Sequence, residues 1–281
     1  MLLTVRPWVD VGSVGTQTLA FLAAQWGAKK LGQLRRPGLY YDFTRYRPLI
    51  GNVAGERVVT VPNSTIHCAT SDSDWLLVDV MEPHAHGEDF CDAIIDVMRR
   101  FEVSEYLMIG AMYGPVPHTR PAVLSGGATD EGLGARMQRL GIRASSYEGP
   151  TTILATIPQE VRSLGAATGT LLVQLPAYAR LDPDIHGRYA LLRTLSDLFD
   201  LGFELDRMRR EGEQQYDSLE VALAQNPELA GWVRELESVY DRTVGRPAAP
   251  EEAPGGEPSQ LSPELERFLA DMERRFQAPE D

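Results

Sequence analysis

The sequence predicts an α/β protein, with a mainly parallel sheet covered by helices on both faces and a helical extension behind it. Three observations carry this expectation. Short apolar runs alternate with amphipathic stretches long enough to cross over between parallel neighbours. From Ile185 onward the apolar periodicity is helical only. The 281 residues, 43% apolar and 24% charged, have the composition of a folded soluble chain rather than a disordered or fibrous one.

Taken in order, Leu2–Val9 reads as a first strand, closed by Asp10-Val11-Gly12-Ser13-Val14-Gly15 and followed by a helix from Thr16 to Gly27. Arg57–Val61, Trp75–Met81 and Tyr106–Met112 read as further strands. Between the last two, Phe90, Ile94, Ile95, Met98 and Phe101 are spaced for the buried face of one helix. Ala122–Ser125 reads as a strand, Asp130–Leu140 as a helix and Thr170–Gln174 as a late strand. Helices follow at Arg188–Leu201, at Phe203–Leu223 with Gly212 as a place for a break, and at Pro227–Tyr240. Asn226 caps the last of these, with Pro227 at its first position.

This divides the chain into an α/β domain at 1–182 and a helical extension at 183–243. A Pro/Gly/Ala/Glu linker follows at 244–260, of a composition that does not pack, and then a short amphipathic helix at 261–276. Ser262 suits the N-cap of that helix and Pro263 its first turn. Leu261, Leu265, Phe268, Leu269, Met272 and Phe276 fall on one face. So short a helix is not stable alone, so its apolar face is expected to fold against a partner protein or the chain's own oligomer.

Composition excludes several classes of function. Forty acidic residues against 27 basic ones, a formal charge of −13 with no run of Lys or Arg, argue against nucleic acid as a partner. Lys29 and Lys30 are the only lysines. Neither sits in a phosphate-binding G-x-x-x-x-G-K-[ST] loop, and Schiff-base chemistry would have to use one of this adjacent pair. Cys68 and Cys91 lack C-x-x-C spacing and read as buried thiols in a strand and on a helix face, which fits a reducing, cytoplasmic compartment. No signal peptide is evident at the start. The run Leu19–Ala24 is far shorter than the roughly 20 apolar residues of a membrane span. No cofactor is expected.

Four stretches concentrate chemistry. The Asp10–Gly15 segment lies where a phosphate-binding turn would lie, but it lacks the first glycine of G-x-G-x-x-G, so a tight strand-to-helix turn competes with a ligand site. Asp79–Asp89 gathers His84, His86 and four carboxylates. Pro83 and Gly87 make it a loop, Glu88 and Asp89 suit the first turn of a helix, and no metal site is expected. Gly114-Pro115-Val116-Pro117-His118-Thr119-Arg120-Pro121 is a proline-stiffened loop directly after a core strand. There His118 and Arg120 suit a general base and an anion clamp, or a loop-locking imidazole and an ion-paired guanidinium, the reading favoured because no nucleophile is visible beside them. In Tyr147-Glu148-Gly149-Pro150-Thr151-Thr152 a hydroxyl stands at a helix start, where it suits a cap. No nucleophile stands beside a base, and G-x-S-x-G is absent.

The order and spacing of these segments resemble the proteasome assembly chaperone two family over about residues 3–243. The resemblance rests on Pro7-Trp8-Val9-Asp10-Val11-Gly12, on Glu82-Pro83 after a core strand, on Pro115-Val116-Pro117-His118-Thr119-Arg120-Pro121, and on Tyr147-Glu148-Gly149-Pro150-Thr151. Asn226-Pro227-Glu228-Leu229-Ala230 ahead of Leu236-Glu237 and Tyr240-Asp241 completes it. It implies a three-layer α/β/α fold similar to nucleoside phosphorylases and peptidyl hydrolases. It also implies a non-enzymatic, oligomeric protein that holds proteasome-like or other protein subunits, with no catalytic residues to carry over. The alternative is a small-ligand binder or an enzyme using the carboxyl ends of the strands, with Asp10, Gly12, His118, Thr119, Arg120 and Tyr178 around the cleft. Two features depart from the family pattern. Leu175-Pro176-Ala177-Tyr178 has alanine where V-P-H-Y has histidine, and the chain ends Ala278-Pro279-Glu280-Asp281, without a hydrophobic-Tyr ending.

Overall fold

The computed structural model describes residues 1–145, 147–161, 164–223 and 226–243; the linker expected at 244–260 and the amphipathic segment at 261–276 lie outside them. The first strand, β1 (Leu2–Arg6), is buried on both sides, with Leu2 in one apolar cluster and Leu3 and Val5 in the other. Burial on both faces is what a central strand between two helical layers requires. The strand stops at Arg6 rather than Val9, because Pro7 has no N–H to continue the ladder.

The remaining strands are β2 (Lys29–Gln33), β3 (Leu49–Val53), β4 (Glu56–Thr60), β5 (Thr65–Thr70), β6 (Asp74–Met81), β7 (Glu105–Gly114), β8 (Val123–Ala128), β9 (Arg143–Ala144) and β10 (Ala167–Pro176). Eight of them form one sheet in the order β2-β5-β6-β1-β7-β10-β8-β9. At its centre β6, β1, β7 and β10 run parallel, while β5 and β8 flank them antiparallel. The outermost strands differ, β2 pairing antiparallel with β5 and β9 parallel with β8. The strand expected at Arg57–Val61 is β4, and it belongs to a separate hairpin with β3 rather than to the sheet.

Helices α1 (Val14–Gln25), α3 (Glu131–Arg139) and α5 (Ile185–Phe199) cover one face, and α2 (Gly87–Arg100) and α4 (Ile157–Val161) cover the other. The expected α/β sandwich with a mostly parallel sheet is therefore what the chain forms. Leu191, Leu192, Leu195 and Leu198 of α5 share a cluster with Leu171, Val173 and Leu175 of β10, so the first helix after residue 183 belongs to the main core. Trp26, stacked on Trp75 at 4.9 Å, and Phe199, edge-on to Trp75 at 5.2 Å, close that core at the amino ends of the strands.

Behind α5 lie α6 (Asp206–Leu223) and α7 (Pro227–Thr243). Helix α6 runs unbroken through Gly212, whose missing side chain serves packing, since a Cβ there would stand 2.8 Å from the His186 Cα. Two further expectations are corrected. Phe101 follows the last turn of α2 and is 43% exposed rather than on its buried face. Cys68 is half-buried because β5 lies next to the sheet edge, whereas Cys91 is on the buried face of α2.

Leu171 has no exposed surface and lies between β7 and β8, under the helical layer. Leu171→Ala is expected to lower the unfolding free energy by about 2–5 kcal/mol in urea titration, since both transfer and cavity terms apply.

Candidate functional site

The site is built on the turn that ends β1. The Val9 carbonyl accepts the Ala111 N–H at 2.8 Å, and only glycine fits at 110, where a Cβ would lie 1.9 Å from that oxygen. This places Asp10 beside β7 through an isolated parallel bridge to Ala111. The Asp10 carboxylate accepts the Thr16 N–H at 2.9 Å and the Thr16 hydroxyl at 2.8 Å, so it serves the first turn of α1. Burial raises its pKa, an effect that the hydrogen bonds from Thr16 and Gly15 oppose. Gly12 has a φ of +61°, and a Cβ there would meet the Asp184 Cβ at 2.8 Å. Its carbonyl accepts the Asp184 N–H at 2.9 Å.

Asp184 is a centre that the motif search did not reach. Its carboxylate accepts the Gly187 N–H at 2.7 Å, capping α5, and the Tyr216 hydroxyl at 3.1 Å, which fastens α6. It is 2% exposed, and burial raises its pKa. The Tyr216 ring stacks on His186 at 4.3 Å and stands edge-on to His118 at 6.1 Å. Desolvation pushes the Tyr216 phenol far up, and it pushes both imidazoles below the ordinary histidine value of 6.5.

The proline-stiffened loop sits directly above. The Tyr178 hydroxyl oxygen accepts the His118 main-chain N–H at 2.8 Å and lies 2.7 Å from His118 Nδ1. Burial holds that phenol protonated, with a pKa pushed up to about 12. Thr119 donates its hydroxyl to Glu237 at 2.5 Å. Arg120 forms a two-pronged pair with Asp241, at 2.8 and 2.9 Å, and reaches Glu237 at 3.2 Å. These hydrogen bonds raise the Arg120 pKa and lower that of Asp241. Beside them Val116, Val123 and Tyr240 form a small apolar cluster. The loop therefore grips one face of α7.

Of the six residues expected around a cleft, His118 and Tyr178 meet directly, and Thr119 and Arg120 join them to α7. Gly12 meets this group through Asp184 and Tyr216, whereas the Asp10 carboxylate stays with the first turn of α1. Asp184 carries a legible N-cap signal, after Pro183 and before a helix, and Glu237 and Asp241 are spaced by one helical turn. Nothing in the sequence pattern marks Tyr216. Glu82 accepts the Thr152 hydroxyl at 2.5 Å and the Ile153 N–H at 3.2 Å, so two stretches read separately in the sequence form one contact. His84 Nδ1 accepts the Asp42 N–H at 3.2 Å, and among the described residues no three His, Cys, Asp or Glu side chains gather as a metal site would need. No helix among these residues is long and apolar enough to cross a membrane. Next to the grip, an open cleft of about 580 Å³ is lined by Trp8, Met112, Ser125, Tyr147, Thr170 and Leu172, among others.

Arg120→Ala is expected to increase amide exchange across 227–243 severalfold while leaving that of β7 and β10 unchanged, and Arg120→Lys, which cannot reproduce the two-pronged geometry, is expected to behave similarly. A second expectation follows from the histidines. Their lowered values mean that the unfolded chain takes up protons first as the pH falls through about 6.5, so stability drops on acidification. Asp10 and Asp184 act in the opposite sense, because their raised values make acid relieve the cost of burying them ionised. Replacing His118 and His186 together by Asn should flatten the fall in unfolding free energy between about pH 7 and about pH 5.5, measured by urea titration.

A "PAC2 family protein" structure from Streptomyces avermitilis is 26% identical, covering 83% of this chain and 98% of its own, with a TM-score of 0.73. A Mycobacterium tuberculosis "proteasome-assembly chaperone homologue" is 28% identical, covering 83% of this chain and 100% of its own, with a TM-score of 0.72. Pyrococcus furiosus PbaA, "an archaeal homolog of proteasome-assembly chaperone", shares the fold at 15% identity, covering 81% of this chain and 93% of its own, with a TM-score of 0.54. No match is found among curated proteins. The PAC2 family profile matches residues 4–222, taking in the β1 turn, the loop at 115–121 and Tyr216, and the chain belongs to the PAC2 family.

Proposed function

We propose that the chain is a non-enzymatic, oligomeric protein that binds other protein subunits in the manner of an assembly chaperone, in the cytoplasm. One observation supports this most. The loop where a general base and an anion clamp would stand has Thr119 and Arg120 engaged in holding α7, and His118 Nδ1 engaged with the Tyr178 hydroxyl. The relatives called proteasome-assembly chaperone homologues agree with it. The partners are proteasome-like or other multi-subunit assemblies, and the segment carrying Leu261, Leu265, Phe268, Leu269, Met272 and Phe276 offers them an apolar face.

The open cleft favours a second reading, a small-ligand site. Trp8 is 45% exposed and Tyr147 54% exposed at its rim, with Ser125 and Thr170 as hydroxyls. One pair of measurements separates the two. Co-expression with the α-type proteasome subunits of the same genome should give a complex that survives size exclusion, weakened by deletion of residues 245–281. A genome without proteasome genes would remove that class of partner. A thermal-shift screen with nucleosides, phosphates and acyl-peptide mimics should be silent. A shift of several degrees abolished by Trp8→Ala, with no subunit bound, would replace the first reading by the second.

A further inference from the structure

Strand β10 lies between β7 and β8, so both of its edges are paired, yet its two faces are not equally covered. Leu171, Val173 and Leu175 are buried under the layer that holds α3 and α5. Thr170, Leu172 and Gln174, on the other face, are only half-buried. An interior strand of an α/β sandwich is ordinarily covered on both sides. Thr170 and Leu172 belong to the floor of the cleft of about 580 Å³, where Thr170 stands opposite Gly127 and Leu172 opposite Ser125. Gly127 is exposed, and a Cβ there would meet nothing within 4 Å. Its neighbour Gly126 faces the other way, toward Met137 of α3.

The lining suits an apolar surface rather than a charged ligand. None of the described residues that line the cleft is charged, in a chain where 24% of residues are. Trp8 and Tyr147 stand exposed at its rim. An apolar helical face laid here buries no unpaired charge.

The chain itself brings such a face to the mouth of the cleft. Arg143 of β9 donates to the Thr243 carbonyl at 2.7 Å, so the last turn of α7 is held beside β9. Ala144 and Ser145, the residues after Arg143, line the cleft. The linker expected at 244–260 therefore starts close to it, and 17 residues span on the order of 20–25 Å. Such a tether gives the segment at 261–276 an effective concentration of about 1 mM. A contact with a dissociation constant of even about 0.1 mM is then made roughly ten times in eleven.

We propose that the occupant of the cleft is this chain's own segment 261–276, docked as a helix with the face that carries Leu265, Phe268, Leu269 and Met272 turned to β8 and β10. The segment would supply the missing part of the helical layer over β10. A partner that takes the segment must draw it out of the cleft, so docking in its own copy competes with partner binding. The proposal rests on the reading of 261–276 as a helix that folds against protein, and it names the surface used when no partner is present.

Two measurements on the full chain test it. Amides at 261–276 should exchange at least about tenfold more slowly in the wild-type chain than in Gly127→Phe, whose ring fills the cleft from its floor, while those of β7 and β10 stay unchanged. Cross-linking gives a second readout that does not depend on Gly127→Phe folding. In a chain with Cys68→Ser, which leaves only the buried Cys91, Tyr147→Cys and Met272→Cys should be joined within one chain by a short dithiol reagent. Leu265→Asp with Phe268→Asp, changes in the segment alone, should cut that yield at least about tenfold. Equal exchange of the segment in wild type and Gly127→Phe, or a yield indifferent to the aspartates, would overturn the proposal and leave the cleft to a small ligand. So would a mixture of the two single-cysteine chains that cross-links as efficiently, since the segment would then lie on a second copy. Subunit binding by a chain whose segment never docks would sink only this inference, and docking in a chain that binds no subunit would sink only the assembly reading.

Discussion

Much of the molecule depends on one close approach, that of the Val9 carbonyl to the backbone of β7 at Gly110 and Ala111. Any side chain at 110 would overlap that oxygen, so the path of the chain after β1 is set by a missing Cβ. The turn then holds Asp10 where its carboxylate caps α1, and Gly12 where its carbonyl receives Asp184. From Asp184 the ordering continues outward to α5 through the cap on Gly187 and to α6 through Tyr216. One backbone contact between two central strands thus governs where three helices begin or dock. Buried polar groups of this kind need their partners, because leaving one unpaired costs more than the bond's net contribution to stability.

The loop at 115–121 extends the same arrangement to α7. Three prolines limit its conformations, so ordering Thr119 and Arg120 against the helix loses little entropy. Arg120 and Thr119 together meet two carboxylates one turn apart, which sets both the position and the rotation of α7. The carboxyl end of the sheet, where many α/β proteins hold ligands, is here occupied by the protein's own helical extension. The remaining concavity lies to one side, over β7, β10 and β8. Among the described residues, the hairpin, the outer helical faces and that cleft are surfaces open to partners.

The central strands and most helices were legible because their apolar residues recur at the period of two or of 3.6 that burial demands. Phe90, Ile94, Ile95 and Met98 are an example, all buried as their spacing predicts. Strands β2, β3 and β9 were not legible. Lys29-Lys30-Leu31-Gly32-Gln33 has no apolar alternation, because an edge strand is defined by its partner rather than by its own burial. In the site, both roles open to His118 and Arg120 were visible, and the choice between them was not. For His118 it depends on Tyr178, 60 residues away, and for Arg120 on Glu237 and Asp241, more than a hundred residues away.

By itself the sequence determined the layered α/β architecture, the acidic character of the chain, its restriction to two adjacent lysines and the family resemblance. All of these follow from local periodicity, composition or residue order. Only the tertiary structure decided that Thr119 and Arg120 serve α7 while His118 meets Tyr178, that Asp184 and Tyr216 tie α5 and α6 into the site, and that the hairpin at 49–60 leaves the sheet. Each of those is a meeting between distant segments or a contact that a segment lacks. The physical reason is that a side chain's role is set by what it is packed against, and local pattern records only whether it is packed.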